Sequence, residues 1–313
     1  MPDVSVVIPT RDRYRYLSLT LQSVMRQQGV DLEVIVVDDG SVDETATELS
    51  HPADPRVRLL RNDVPLGESG ARNRGIERAS GEWIAFLDDD DLWAPNKLVL
   101  QLDAVRRSGA PWVYGGDVLV DDELRILHAA PPPPPEQVLL QLSRHNSVPA
   151  GASNVMVRTA VLSRTGSFDV GLRRTADWDM WLRLARTGAP AMVPNPVVAN
   201  RVHRGNVSRD MRLLSSELQV IADRHAIHVD RARHYRWAAW ISMLDGQRWQ
   251  AVSYYARALA AGDLASAGRA AVAVLDLHYA SRMVRRSSAA AGGNAWADES
   301  RAWLRVLQSL PSS

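Results

Sequence analysis

The first half of the sequence alternates short apolar runs with segments of helical periodicity, and this alternation constrains the fold more than any other feature. Five apolar runs are predicted to form buried strands, at residues 4–8, 32–37, 57–60, 83–87 and 112–114. The intervening segments predict helices at residues 17–25, 43–49, 70–79 and 97–107. Strands that alternate with helices in this way form a mainly parallel sheet with helices on both faces.

Polar residues follow three of the predicted strands at the point where each strand ends. Pro9, Thr10 and Arg11 follow the first strand, residues 38–41 follow the second, and residues 88–91 follow the fourth. Ligands of open parallel sheets bind beyond the carboxyl ends of the strands. We therefore expect these three segments to line one rim of the sheet.

Residues 88–91 are four consecutive aspartates. Two like charges about 4 Å apart repel by about 4 kcal/mol at an effective dielectric constant of about 20. One interpretation is a solvated loop in which the charges spread apart, and the other is a bound cation. Two or three carboxylates at such a rim suit Mg²⁺ or Mn²⁺, which prefer oxygen ligands and keep positions open for phosphate oxygens.

The composition excludes several kinds of site and partner. The 313 residues include no cysteine, which excludes disulfides, thiol nucleophiles and cysteine metal sites. The net charge of +1 argues against electrostatic binding of nucleic acid. The N-terminus does not have the pattern of a signal peptide, and no apolar run approaches the ~20 residues of a membrane span. We therefore expect a cytoplasmic protein without a transmembrane segment.

The second half is less regular. Asp121 and Asp122 predict a turn between short strands, and the prolines at 131–135 predict a stiff surface connector. A helix is predicted at residues 177–187, and an extended segment at 192–202.

Alanine, arginine and leucine dominate from residue 210 onward. Helices are predicted there at residues 213–224, 231–244 and 249–259, followed by a flexible joint at 287–294. A last helix carries Trp296 and Trp303 and has an amphipathic, arginine-bearing character. Packing against the protein is the favoured interpretation of this helix, and peripheral contact with a membrane is the alternative.

Four motifs resemble, in their order along the chain, those of the family 2 inverting glycosyltransferases. They are VSVVIPTRDR, EVIVVDDGSVDET, GARNRGIERASGEWIAFLDDDDLW and DWDMWLRLAR. The resemblance covers roughly residues 3–208 and implies an α/β fold of the GT-A type with a C-terminal helical extension. It divides the chain into a nucleotide-sugar binding half at 1–115, an acceptor-side half at 116–208, and a C-terminal helical region at 209–313.

The resemblance also implies which residues bind the donor. Pro9, Thr10, Arg11 and Arg72 match residues that lie near the nucleotide. Asp39 matches the aspartate that accepts a hydrogen bond from the uracil ring, which implies a UDP-sugar, with dTDP- and GDP-sugars left open. A turn or capping role is the alternative for Asp39, and a solvated helix face is the alternative for Arg72.

The aspartate run matches the Asp-x-Asp motif of the same family. Asp88 and Asp89 match positions that contact the donor, and Asp90 matches the position that holds Mn²⁺ or Mg²⁺. Asp88 and His203 match further metal-binding positions, although a lone histidine also fits a purely structural role. Asp91 is expected to cap the next turn.

Asp177 matches the catalytic base of the family. Many members have Glu-Asp at this motif, whereas this chain has Ala176 followed by Asp177. A carboxylate is chemically suited to this role because an acceptor hydroxyl is a weak nucleophile until a base takes its proton. The alternative is a helix acid that the macrodipole stabilises, and this is the favoured interpretation of Asp179.

The resemblance implies a metal-dependent inverting transfer of a sugar to a glycan, a lipid-linked glycan, a peptide or a small molecule. Two other functions stay open on the residues alone. One is nucleotidyl transfer on a similar sheet, but such enzymes have a glycine-rich phosphate loop where this chain has PTRDRYRY. The other is a catalytically inactive binding protein on the same fold. The presence of both Asp90 and Asp177 argues against it, because binding alone does not require a metal ligand and a base.

Overall fold

A computed structural model of the chain describes residues 1–50, 52, 54–203, 211–244, 246–275 and 295–309. One sheet of nine strands forms the centre of this described part. The strands are β1 Val4–Thr10, β2 Leu32–Asp38, β3 Val57–Arg61, β4 Trp83–Phe86, β5 Leu92–Trp93, β6 Trp112–Val120, β7 Ile126–Ala129, β8 Met156–Arg158 and β9 Ala191–Arg201. All five strands predicted in the first half are confirmed.

Helices pack around this sheet. They are α1 Tyr14–Met25, α2 Thr45–Glu48, α3 Gly67–Arg78, α4 Lys97–Ser108, α5 Pro135–Leu142, α6 Thr159–Thr165, α7 Ala176–Ala185, α8 Met211–His225, α9 Arg231–Leu244, α10 Arg248–Ala260, α11 Ala265–Leu275 and α12 Ala295–Gln308. The four helices predicted in the first half are confirmed, and so are those predicted after residue 176. The sequence did not predict α5, α6 and α11.

The strand order is β3-β2-β1-β4-β8-β6-β9-β5, with β7 paired to β6. Strands β3, β2, β1 and β4 are parallel neighbours, as the alternation of strand and helix predicts. The other half is mixed, because β8 lies antiparallel to both β4 and β6, while β6 and β9 are parallel. Strand β6 runs across the expected boundary between residues 115 and 116, so the two expected halves share one continuous sheet.

The connector predicted at residues 131–135 is one residue shorter in the structure. Residues 131–134 form a connector, but Pro135 is the first residue of α5. Proline suits this position because its fixed φ is already helical and the first N–H of a helix has no partner within the helix. The predicted turn at Asp121 and Asp122 is confirmed between β6 and β7.

The last helix packs on the sheet. Trp303, Leu304 and Leu307 of α12 are buried against apolar residues of β6, β7 and β9. Gly116 in β6 has no side chain, and a Cβ there would clash with the ring of Trp296. The favoured packed interpretation of this helix is therefore confirmed, whereas the expected joint at 287–294 lies outside the described residues. No helix in the described part is both long and apolar enough to cross a membrane.

Candidate active site

The aspartate run lies between β4 and β5, at the rim where β1 and β2 also end. Thr20 of α1 fixes its backbone by donating from one hydroxyl to the carbonyl oxygens of Asp89 and Asp91, at 2.9 Å each. Thr10, at the end of β1, donates its hydroxyl to Asp89 Oδ2 at 2.8 Å. The predicted convergence of the ends of β1 and β4 is therefore seen in direct contacts.

A guanidinium and an imidazole lie against the aspartates. Arg13 Nη1 lies 3.2 Å from Asp89 Oδ1 and 3.1 Å from Asp90 Oδ2. His203 Nε2 lies 2.9 Å from the same Asp90 oxygen. Burial and the neighbouring Asp90 charge raise the pKa of Asp89 to about 7, although Arg13 and Thr10 act in the opposite direction. The solvated-loop interpretation therefore fails, because Asp89 and Asp90 are buried and crowded.

Asp91 does not cap the next turn as expected. Its Oδ1 accepts the backbone N–H of Arg201 at 2.9 Å, which joins the aspartate loop to the end of β9. Burial and the charges of Asp90 and Asp88 raise its pKa well above the usual range. Asp91 therefore has a structural role behind the site.

Arg72 is buried beside the aspartate run. Its Nη2 donates to Asp88 Oδ1 at 2.5 Å and also pairs with Glu68 one turn earlier in α3. The Nε of Arg72 is buried and has no hydrogen-bond partner among the residues that the structure describes. Burial opposes its charge, but the carboxylates of Glu68, Asp88 and Asp177 outweigh this effect and raise the pKa of Arg72. A solvated helix face is therefore excluded for this residue.

Glu68 was not singled out by the sequence. Loss of hydration and the neighbouring Asp88 charge raise the pKa of Glu68, whereas the Arg72 guanidinium lowers it. The Glu68 side chain is 42% exposed, so it lies at the solvent side of this cluster, whereas Arg72 is buried.

Asp177 lies near this cluster at the start of α7. Asn146 Nδ2 donates to its Oδ2 at 2.7 Å, and the N–H of Trp178 donates to its Oδ1, also at 2.7 Å. Burial raises the pKa of Asp177 to about 6, although the Trp178 N–H, Arg72 and Asn146 all lower it. The side chain remains half-buried. A half-buried carboxylate with such a pKa can accept a proton near neutral pH.

Asp179 and Asp169 are the acidic residues nearest to Asp177 along the chain. Asp179 is buried and pairs with Arg183, Arg224 and His225. Asp169 pairs with Arg224 at 2.7 Å. Asp179 joins α7 to α8, and Asp169 joins the segment before α7 to α8. Because both carboxylates are engaged in these ion pairs, Asp177 is the better candidate for the base.

Asp39 holds the start of α3. Its carboxylate accepts the side-chain amide of Asn62 at 2.7 Å and the N–H groups of Leu66 and Gly67 at 2.7 and 2.8 Å. A carboxylate has about four acceptor positions, so one is left for a ligand. The capping role left open on the sequence therefore exists, but for α3 rather than for the helix near residue 43.

The residues at the end of β1 differ in exposure. Pro9 and Thr10 are buried, whereas Arg11 extends into solvent and lies 3.7 Å from the carboxylate of Asp12. Arg11 therefore lies on the rim of the cleft without a firm contact to the aspartates.

Asp90 and His203 are two of the three predicted metal-binding residues, and the structure brings them together. An octahedral ion that binds at about 2.1 Å places neighbouring ligands about 3 Å apart, and Asp90 Oδ2 lies 2.9 Å from His203 Nε2. Asp88, the third predicted ligand, pairs with Arg72 instead. Within the described residues, no group of three or more histidine or acidic side chains is arranged to hold a metal. Mg²⁺ commonly binds to one or two protein groups and completes its shell with phosphates and water.

Comparison with known proteins gives a family match and two informative relatives. Residues 5–166 match the family described as glycosyl transferase family 2. Succinoglycan biosynthesis protein ExoO of Rhizobium meliloti is 31% identical over 234 residues, which cover 71% of this chain and 67% of ExoO. The Escherichia coli protein WfgD, a UDP-Glc:alpha-D-GlcNAc-diphosphoundecaprenol beta-1,3-glucosyltransferase, is 34% identical over 38% of this chain. The match spans 47% of WfgD, about half of its length.

Solved structures of similar shape include residues 1–349 of Staphylococcus aureus TarS in complex with UDP-GlcNAc. The TM-score is 0.58 with 16% sequence identity, and the match covers 91% of this chain and 89% of the TarS chain. At this identity the likeness shows the fold, which is the GT-A arrangement.

Proposed function

Because this chain belongs to the family 2 glycosyltransferases, we propose that it transfers a sugar from a UDP-sugar to an acceptor hydroxyl with inversion at the anomeric carbon. The family favours glycosyl transfer over the nucleotidyl transfer that the sequence left open. The observation that carries the proposal is the placement of Asp177 near Arg72 and Asp88. This arrangement would supply a base, Asp177, and a cationic guanidinium, Arg72, to the same substrate.

The donor belongs at the rim formed by residues 1–115. Asp39 keeps one acceptor position, which suits the ring N–H of uracil or thymine. Arg72 has a buried Nε whose N–H is left to donate, and the diphosphate of a donor offers oxygen acceptors. The name of WfgD specifies UDP-Glc, which supports a uridine donor here.

A divalent cation held by Asp90 and His203 would supply Lewis-acid stabilisation of the diphosphate leaving group. Thr10 and Thr20 keep the aspartate loop in place for this role. Asp88 orients Arg72 through their shared hydrogen bond.

Asp177 accepts the proton of the attacking hydroxyl. Asn146 and the Trp178 N–H fix the orientation of its carboxylate, so the base does not have to find its position during the reaction. A single displacement with no enzyme nucleophile gives a product of inverted configuration. We assign the acceptor to the side formed by residues 116–208, with residues 209–313 as a packed support.

We propose a glycan or a lipid-linked glycan as the acceptor. The relative WfgD is named for an acceptor in which a sugar is joined through diphosphate to undecaprenol. Such acceptors present a free hydroxyl on a sugar, which is the group that Asp177 would deprotonate.

The test is nucleotide diphosphate release from UDP-glucose, UDP-GlcNAc, dTDP-glucose and GDP-mannose, measured with Mn²⁺ and with EDTA. We expect turnover of a UDP-sugar with Mn²⁺, slow with water and faster with a lipid-linked glycan. If none of these four sugar nucleotides is turned over in the presence of glycan and lipid-linked acceptors, the proposed function is refuted.

A further inference from the structure

Arg13 is the last residue of the motif VSVVIPTRDR, but the sequence did not predict its contact with the aspartate run. One nitrogen, Nη1, contacts both Asp89 and Asp90, at 3.2 and 3.1 Å. The Arg13 side chain is 24% exposed, and the two carboxylates are 7% and 10% exposed. These contacts are therefore largely shielded from water, where charge pairs interact more strongly than at an open surface.

The backbone around Arg13 is locked, so the position of its side chain is built into the fold. Asp12 has a φ of +55°, which is uncommon for a residue other than glycine. Its N–H donates to Ser41 Oγ at 2.9 Å, and its Oδ1 accepts the N–H of Val42 at 2.6 Å. On the other side, the N–H of Tyr14 donates to Asp43 Oδ2 at 3.1 Å. The segment is thus tied at both ends to the loop after β2.

One oxygen of Asp90 contacts two side chains. Asp90 Oδ2 is the atom that Arg13 Nη1 contacts, and it is also the atom that lies 2.9 Å from His203 Nε2. A divalent cation between Asp90 and His203 would use this oxygen as a ligand. A positively charged nitrogen at 3.1 Å from a metal-bound oxygen would be repelled by the metal's charge.

We propose that Arg13 is the resident counter-cation of the aspartate loop, and that a divalent cation binds only by displacing the contact between Arg13 and Asp90. This inference rests on the proposed function, in which the divalent cation stabilises the diphosphate of the donor. Arg13 offsets part of the negative charge of Asp89 and Asp90 when no donor is present. It therefore weakens the binding of metal alone and couples tight metal binding to the arrival of the diphosphate, which adds ligands.

The test measures Mn²⁺ binding by isothermal titration calorimetry with no nucleotide and no acceptor. Arg13→Gln removes the competing charge, so we expect the Mn²⁺ dissociation constant to fall about tenfold, equivalent to about 1.4 kcal/mol. Arg15→Gln is the matched control, because it makes the same charge change two residues away at an exposed position. We expect it to stay within about twofold of the wild type. Equal Mn²⁺ affinity in the two variants, or weaker binding by Arg13→Gln, would overturn the proposal.

Thermal unfolding without metal provides a second measurement. Arg13→Gln leaves Asp89 and Asp90 without their counter-charge, so its midpoint should fall below that of Arg15→Gln and recover when Mn²⁺ is added. A midpoint equal to that of Arg15→Gln would count against the proposal.

A variant that keeps the charge covers the case in which Arg13→Gln does not fold. The ammonium of Arg13→Lys is a point charge without the planar fork of arginine. We expect it to hold Asp90 less firmly and to bind Mn²⁺ about threefold more tightly than the wild type. An unchanged affinity in a folded Arg13→Lys protein would overturn the proposal.

These outcomes are separate from those of the proposed function. Mn²⁺ affinities that change as expected in a protein that turns over no sugar nucleotide would refute the proposed function alone. Normal transfer with unchanged Mn²⁺ affinities would refute the role of Arg13 alone.

Discussion

Replacing Asn146 should move the pH dependence of turnover without removing the base. Asn146 donates to Asp177 Oδ2 at 2.7 Å and so stabilises the charged carboxylate. A hydrogen bond to a charged group contributes about 1.5–3 kcal/mol, and one pKa unit corresponds to about 1.36 kcal/mol. Because Asp177 is half-buried, water can replace part of this hydrogen bond in the variant. We therefore take the lower end of the energy range, which corresponds to a rise of about one unit in the pKa of Asp177.

The pKa of Asp177 is raised to about 6, and the base is active when deprotonated. Activity should therefore rise with pH, with its lower inflection near pH 6 in the wild type and near about pH 7 in Asn146→Ala. At pH 6 the variant should be about fivefold slower, because about one half of the wild type but only about one tenth of the variant is deprotonated. Above about pH 8 the two rates should differ by less than about threefold.

The assay is initial UDP release at saturating donor across this pH range. Asn195→Ala is the matched control, since Asn195 donates to Glu299 at an exposed position and has no contact with Asp177 in the described part of the chain. Its inflection should stay at that of the wild type. The same inflection in Asn146→Ala and the wild type would refute the assignment of Asp177 as the titrating base. A fall in rate of equal size at every pH would instead assign to Asn146 a role in the geometry of the cleft.

Three further predictions concern the donor side. By calorimetry, UDP affinity should weaken strongly in EDTA and return with Mn²⁺, and equal affinities would refute the metal site. Asp39→Ala should lose ~1–3 kcal/mol of UDP affinity and blur the preference for uridine over adenosine diphosphate; it should also lower the thermal midpoint, because Asp39 caps α3. If the preference for uridine over adenosine diphosphate is unchanged in Asp39→Ala, Asp39 only caps α3 and does not recognise the base. Glu68→Gln frees Arg72 from one carboxylate and should lower the donor KM, while Glu77→Gln, an exposed change on the same helix, should not. The reasoning is that Glu68 competes with the donor diphosphate for Arg72, and an equal donor KM in these two variants would refute it.

The rim of the sheet was predictable because local patterns determine it. Apolar runs that end in polar residues, such as β1 before Arg11 and β4 before Asp88, mark both the strands and their carboxyl ends. Strand β8 was not predictable, because it has only three residues and takes its place from its neighbours β4 and β6.

The partners of the site residues were less accessible to the sequence. Arg13 meets Asp90 across 77 positions, and Asn146 meets Asp177 across 31. No spacing rule for a strand or a helix joins such positions. Glu68 is different, because it lies four residues before Arg72, and this spacing is typical of helical ion pairs. The helix predicted at residues 70–79 begins too late to include it, whereas the observed α3 begins at Gly67. The spacing to Arg72 could have indicated Glu68 from the sequence alone.

The most direct test of the account is the turnover of Asp177→Asn. The substitution keeps the size of the side chain but removes its basicity, and a positioned base contributes ~10²–10⁴-fold. We predict that kcat for transfer falls by this factor while the UDP dissociation constant stays within about threefold of the wild type, since a base acts only in the reaction. Turnover of Asp177→Asn near that of the wild type would contradict the account and would place the base on another residue.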